Sequence, residues 1–394
     1  MKKNQDADMR YSASKIIIPG SPAVCGDLII EGGRITRIVK KTIGHNAFAY
    51  AVPGFIDIHN HGGFGIDINN NADEKTIDEL CGLYLKKGTT SLMLSTTTAP
   101  LDKLKGILEC GRRMLSGNTD KSRMGEAAHL LGFHLEGPWI SAKNAGAQPI
   151  EYIIEPDENS RKFIIDHKDI IRMATISCHT EKHRKFASFL KANGIIAACG
   201  HDTTCDTDAE KAFTAGIDHI THIFSNSASF QRINGFKHLG SLEMALMTPG
   251  IKVEVIADNR HITRHFWNFI THNKAFEDII VVSDASPAAC INAQKSTMGG
   301  KNIIIDQGVA WQEDKSGFAG SISTMHDIFK ILAGEWNVPV EKAACLCAGN
   351  QAARLGIDHF TGSLVPGKIA DILFLDENLA IKKILKSGRE VNLS

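Results

Sequence analysis

Pro53-Gly-Phe-Ile-Asp-Ile-His-Asn-His-Gly62 is a short apolar, β-branched run that stops on two histidines. Counted as residues 54–59, it is the first of eight such runs. The others are 89–95, 130–135, 171–177, 195–199, 219–224, 252–257 and 279–283. Stretches at helical spacing lie between several of them. Residues 182–193 carry Phe186, Phe189 and Leu190 on one side, and residues 208–215 form another. Beyond the eighth run, Ile322, Met325, Ile328, Phe329 and Leu332 recur at the same spacing. Short strands alternating with longer helices are the pattern of a parallel sheet with crossover connections. Eight such units predict a closed (β/α)8 barrel. The competing architecture, an open doubly wound sheet, wants a glycine-rich phosphate fingerprint after its first strand, and none stands in that context.

The two ends of the chain read differently. Residues 27–39 are two β-rich runs joined at Gly32-Gly33, a hairpin signal. Residues 370–375 and 381–385 repeat the pattern. Residues 1–52 and 358–394 are therefore expected to meet in one small β-sandwich domain, assembled around a barrel of residues 53–357. Within the barrel, residues 299–316 look like an inserted hairpin.

Lys+Arg and Asp+Glu balance at 44 each in 394 residues, so the overall charge favours neither nucleic acid nor an anionic membrane as a partner. No run of about 18 apolar residues is present to span a bilayer. Met1-Lys2-Lys3 is followed by Asn4-Gln5-Asp6 rather than by the apolar core of a signal peptide. The nine cysteines are scattered and mostly set in apolar stretches, as expected of reduced thiols in a cytoplasmic protein.

The chemistry is suggested by where the polar residues fall. The first run ends in His59-Asn60-His61, the third in Glu136, the fifth in Gly200-His201 and the eighth in Asp284, while the sixth carries His222. In a barrel these strand ends converge on one face, where active sites are built. His59 and His61 are two apart and so leave an extended strand on the same side. Imidazoles and carboxylates gathered there suit a divalent first-row metal. Zinc is the expected ion, with iron, manganese and cobalt as alternatives. Asp284 beside a metal-activated water would serve as general base and then return the proton to a leaving amine. His261, after the seventh run, is placed to hold a carbonyl oxygen.

These stretches also resemble the N-acetylglucosamine-6-phosphate deacetylase family of the amidohydrolase superfamily. The similarity lies in residues 53–62, in His134-Leu-Glu-Gly-Pro-Trp-Ile-Ser141 with Gly146, and in Gly200-His201. It continues through Thr221-His-Ile-Phe224, residues 257–261, Val282-Ser-Asp-Ala285 and residues 318–325. The resemblance implies a (β/α)8 barrel with a β-sandwich made from both chain ends. It implies Glu136, His201 and His222 as principal metal ligands, and His59 and His61 as the pair for a second ion, so that one or two ions are expected. It also implies catalytic roles for Asp284 and His261, with substrate contacts from Gln148, Asn226, Ser227, Arg232, His261 and Ser321, and a homodimer acting on a small amino sugar.

Several positions depart from the family pattern. Gln148 stands where the family has a histidine that touches the sugar. The segment after the sixth run reads Phe224-Ser-Asn-Ser-Ala-Ser-Phe-Gln-Arg-Ile-Asn-Gly-Phe-Lys237, without a clear equivalent of the phosphate-binding arginine. Arg232, Lys237 and Arg260 are the nearest cations. The fourth run ends in Ser177-Cys178-His179 instead of Ala-Pro-Glu, and no lysine there could form a carbamylated bridge. Cys178 and His179 are not counted among the ligands.

The reaction expected is hydrolysis of the acetamide of N-acetylglucosamine 6-phosphate to glucosamine 6-phosphate and acetate. A deacylase of N-acetylgalactosamine 6-phosphate or of another N-acyl amine is the alternative within the class. A catalytically silent sugar-binding barrel is the alternative outside it.

Overall fold

A computed structural model describes residues 9–42, 47–70, 72–116 and 125–393. The first eight residues, which include the N-terminal segment read above, lie outside the described residues. Eight parallel strands form one sheet in chain order: Phe55–Asp57, Thr89–Thr96, His129–Glu136, Ile171–Ile176, Ile196–Cys199, His219–Ile220, Lys252–Val255 and Ile279–Val281. Every neighbouring pair is parallel. The circle is completed just past the strand ends. There the Asp284 amide donates to the His59 carbonyl at 2.9 Å and the His61 amide to the Ala285 carbonyl at 2.8 Å. Side chains reinforce this seam, because the buried Asp57 carboxylate accepts from the Ser283 amide and hydroxyl at 3.2 and 2.5 Å. The protein is a (β/α)8 barrel.

Alternation along the strands divides their side chains between two cores. Met93, Met173, Ala198 and Ile280 pack in one, and their chain neighbours Leu94, Ala174, Ala197 and Val281 in the other, which also takes the helices. The helix Glu181–Ala192 shows how this layer forms. Thr180 caps its first turn, and His183, Phe186, Ala187 and Leu190 are buried at i, i+3, i+4 and i+7.

The chain ends build one continuous seven-stranded sheet. Met9–Ile16, Val24–Glu31, Arg34–Lys40 and Phe48–Pro53 come from the first half, and Ile372–Leu375, Ile381–Lys386 and Arg389–Glu390 from the last. Phe48–Pro53 pairs antiparallel with Ile372–Leu375, which joins the two halves. Leu28, Ile30, Ala51, Ile372, Phe374 and Leu385 form its separate core. At the predicted hairpin Glu31 faces Arg34 across the ladder, and Gly32 and Gly33 both take positive φ, 55° and 78°. A two-residue turn of this hand requires that at both positions, which is why glycine pairs serve there.

The insertion after the eighth strand is larger than a hairpin. It is a three-stranded antiparallel sheet, Lys295–Met298, Lys301–Asp306 and Val309–Gln312, and its Met298 reaches the cavity at the barrel strand ends. No helix among the described residues is long and apolar enough to cross a membrane.

Candidate active site

Glu136 is the last residue of the third barrel strand, and four imidazoles close around its carboxylate. Its Oε1 lies 2.8 Å from His222 Nε2, 3.0 Å from His201 Nε2 and 3.8 Å from His59 Nε2. Its Oε2 lies 3.1 Å from His61 Nε2. Asp284 stands opposite, with Oδ1 at 3.4 Å from His59 Nε2 and 3.3 Å from His61 Nε2. All six residues are buried. The sequence scatters them over 226 positions, and the barrel brings them to one point because they end or follow five different strands, His59 and His61 sharing the first.

Three of them stand in strained backbone. His201, His222 and Asp284 have φ of 49°, 27° and 46°, a left-handed conformation that side chains with a Cβ seldom adopt. Such strain costs on the order of 1–3 kcal/mol and persists where the surroundings over-determine it. For Asp284 the restraints are visible: its amide donates to His59 and its carbonyl accepts from Ser321 N at 2.7 Å.

The outer faces of the imidazoles decide what the inner faces offer. His59 Nδ1 lies 2.9 Å from the Glu254 carboxylate, His61 Nδ1 3.1 Å from the Ser95 carbonyl and His201 Nδ1 2.9 Å from the Asn144 carbonyl. Carboxylates and carbonyls only accept, so Nδ1 carries the proton in each ring and Nε2 of the neutral ring points inward with its lone pair. Lone pairs of several rings then face the carboxylates of Glu136 and Asp284, acceptor against acceptor, and such a set is complementary to a shared cation. Without an ion, protons on these rings answer the same demand for positive charge. Burial opposes charge on His59 and His61, yet the carboxylates of Asp284, Glu254 and Glu136 outweigh it and raise the two rings to about 10 and about 9. Burial likewise works against charge on Glu136 and Asp284, and the surrounding histidines hold both carboxylates below their ordinary values. The cavity of about 20 Å³ between these groups suits an ion or a water rather than a sugar. Two overlapping ligand sets fit a divalent ion: Glu136 with His201 and His222, and Glu136 with His59 and His61.

Around this centre the expected substrate residues separate into two groups. Gln148, Asn226 and His261 line the cavity with Ser225, Met298 and Phe318. Gln148 is anchored at both ends, its Nε2 donating to Glu136 Oε2 at 2.5 Å and its Oε1 accepting from the Thr98 amide at 2.7 Å. Asn226 packs against Gly146, where φ is 56° and a Cβ would sit 2.4 Å from the Asn226 amide nitrogen. His261 is oriented by Asp258, whose carboxylate lies 2.8 Å from Nδ1. Ser227, Ser321 and Arg232 do not line the cavity. Ser227 Oγ accepts from the Asp202 amide at 3.4 Å, and Ser321 donates its hydroxyl to the Ser283 carbonyl at 2.6 Å, bracing the seam beside Asp284. Arg232 is exposed on a small hairpin of Gln231–Ile233 and Phe236–His238, directly across from Lys237. His179 is not part of this cluster either, and Cys178 is buried in the strand–helix core.

Sequence reasoning missed Glu254. Its carboxylate is fully buried in the seventh strand and accepts from His59 Nδ1, from His219 Nε2 at 3.0 Å and from the His222 amide at 3.1 Å. A lone carboxylate inside the apolar run Val253-Glu-Val-Ile-Ala257 was the available signal. Glu254→Gln keeps the shape but replaces an acceptor with an amide. A residue that orients a ligand in this way is expected to cost about 10–100-fold in metal affinity when changed. Competition of wild type and variant against a chelator of known affinity measures this, and equal affinities would remove Glu254 from the site.

The sequence model of the Amidohydrolase family matches residues 50–391. The N-acetylglucosamine-6-phosphate deacetylase of Bacillus subtilis (strain 168) is 29% identical over 343 residues, covering 87% of this chain and 84% of that protein. The N-acetylgalactosamine-6-phosphate deacetylase of Escherichia coli O157:H7 is 27% identical over 344 residues, 86% of each. Among solved structures, the crystal structure of N-acetylglucosamine-6-phosphate deacetylase from Thermotoga maritima superposes with a TM-score of 0.85 at 26% identity, covering 98% of this chain and all of that one. With the barrel, the strand-end imidazoles and a match over nearly its whole length, this chain belongs to the amidohydrolase family.

Proposed function

We propose that this protein hydrolyses the acetamide of N-acetylglucosamine 6-phosphate, releasing acetate and glucosamine 6-phosphate. The observation that carries the reading is the convergence of four inward-facing imidazoles on Glu136 beside Asp284, in a chain whose relatives bear this activity in their names. Glu136, His201 and His222 would hold the principal divalent ion, zinc by the nitrogen and oxygen donor set, and His59 and His61 a second where one binds. When bound, such an ion polarises the acetamide carbonyl and lowers the pKa of water so that hydroxide is available near neutral pH. Asp284 accepts the proton of the attacking water and delivers it to the departing amine nitrogen. His261, held by Asp258, addresses the carbonyl oxygen. Gln148 keeps the Glu136 carboxylate in place through its hydrogen bond to Oε2. Met298 and Phe318, on and beside the inserted sheet, wall the cavity.

The 6-phosphate needs a cation, because desolvating a dianion without a partner is strongly unfavourable. Arg232 is the residue proposed for it. It is exposed beside Phe230, Ile233 and Phe236 on the hairpin that follows the sixth strand, and in a homodimer that hairpin would serve the neighbouring subunit's cavity. The nine free thiols accord with a cytoplasmic enzyme. Arg232→Ala is expected to raise KM for N-acetylglucosamine 6-phosphate while leaving that for unphosphorylated N-acetylglucosamine unchanged. Steady-state kinetics on both sugars tests this. Equal kcat/KM for the two sugars in the wild type would show that the enzyme does not read the phosphate. The galactosamine epimer belongs in the same assay, since one relative is named for it.

A further inference from the structure

We propose a second metal site, outside the active-site cavity, formed by Glu155, His179 and His183. The three residues offer ligand atoms that all lie within 4.8 Å of one another. They come from two neighbouring barrel loops. Glu155 ends the loop after the third strand, just before the helix Glu158–His167. His179 follows the fourth strand, and His183 is in the first turn of the helix Glu181–Ala192.

The hydrogen bonding prepares His179 as a ligand. Ser177 Oγ donates to Asp202 Oδ1 at 2.7 Å, which uses its only proton. The same oxygen lies 2.7 Å from His179 Nδ1 and so must accept from Nδ1–H. That leaves Nε2 with its lone pair, 3.9 Å from Glu155 Oε1. A ligating histidine fixed through its other nitrogen is the usual arrangement at metal sites. His183 faces the same carboxylate through Nδ1, and a metal there would take the place of its bond to Thr180. The His183 side chain is 1% exposed and its Nε2 has no hydrogen-bond partner, while its Nδ1 lies 3.8 Å from Glu155 Oε2 and 2.7 Å from Thr180 Oγ1. The Glu155 carboxylate therefore faces both rings at separations too long for hydrogen bonds.

A tetrahedral zinc with bonds of about 2.0–2.2 Å places its ligands about 3.3–3.6 Å apart. Glu155, half exposed, can move in by that difference at little cost, and the partly exposed side leaves room for a water as fourth ligand. The two rings are already 4.7 Å apart between centroids. Arg184, in the same turn, is engaged elsewhere, donating to the Cys178 carbonyl at 3.0 Å. Zinc is the chemical class expected of two imidazoles and a carboxylate. Once bound, it would clip the loop that carries Gln148 to the first turn of the helix Glu181–Ala192.

The test is zinc stoichiometry at fixed, buffered free zinc. Wild type, His179→Ala and Glu155→Gln are compared, each also in a Glu136→Ala background that removes the active-site ligand. Wild type is expected to hold one more zinc per chain than His179→Ala. The Glu136→Ala chain is expected to retain one zinc, lost again on adding His179→Ala, and zinc should raise the Tm of the first but not of the second. Equal stoichiometries in wild type and His179→Ala overturn the site, as does a zinc that survives both His179→Ala and Glu155→Gln. Because the readout is a difference at His179, it stands whether or not the active-site assignment holds. Circular dichroism distinguishes a lost ligand from a lost fold.

Discussion

Asp284→Asn is expected to reduce kcat by about 10²–10⁴-fold, the range typical of a general acid–base group, while metal content and folding persist. The substitution is nearly isosteric and removes only the charge and the proton-accepting oxygen. The backbone should tolerate it, since Asp284 has φ of 46° and asparagine is among the few residues enriched in that left-handed region. The main-chain bonds to His59 and Ser321 do not involve the side chain and are retained. What is lost is the carboxylate 3.3–3.4 Å from His59 and His61, where the water and the departing amine must exchange a proton. Kinetics, metal analysis and circular dichroism on the same preparation separate the three outcomes. Retention of more than about a tenth of wild-type kcat would contradict the acid–base role.

Glu136→Ala is expected to empty the principal metal site and with it nearly all activity. Both ligand sets share this one carboxylate. The variant removes the carboxylate common to both ligand sets, and a divalent ion loses its negatively charged member there, with Asp284 left standing across the histidines. A polarising ion contributes several kcal/mol to the transition state, so activity should fall by about a thousandfold or more. Excess zinc in the assay is expected to restore little. Metal analysis after gel filtration checks the first part, and stoichiometric active-site metal in Glu136→Ala would falsify the assignment.

The two variants differ in what they reveal. Asp284→Asn should give a metal-loaded, inactive protein, whereas Glu136→Ala should give a protein inactive because it is unloaded at that site. Finding both loaded would leave Glu136 a hydrogen-bonding centre for the histidines rather than a ligand.

Most of the barrel was legible because strand pattern and helix pattern are local. A run such as Ile279-Ile-Val-Val-Ser283 has no soluble face, so it must be covered on both sides wherever it goes, and eight runs of that kind separated by amphipathic helices have few ways to be covered. The strand-end histidines and carboxylates were legible for the same reason. A polar residue directly after a buried strand emerges at the rim, whatever the rest of the chain does. The insertion was read too short, as one hairpin. Val309–Gln312 pairs with Lys301–Asp306 across a two-residue turn, but its sequence is brief and only weakly alternating.

By itself, then, the sequence determined the barrel, the hairpin at Gly32-Gly33 and the six residues at its centre, all of which follow from patterns a few residues long. Only the tertiary structure decided how those residues are oriented. His59 and Glu254 are 195 positions apart, and nothing local says that one ring nitrogen is bound by the other's carboxylate so that Nε2 faces inward. Gln148, read as a sugar contact, is tied to Glu136 and Thr98, while Ser321 turns its hydroxyl into the barrel seam and Arg232 stands outside the cavity. Spacing specifies which side chains reach the rim; the direction of each hydrogen bond there depends on the partner that packing supplies, and packing belongs to the whole chain.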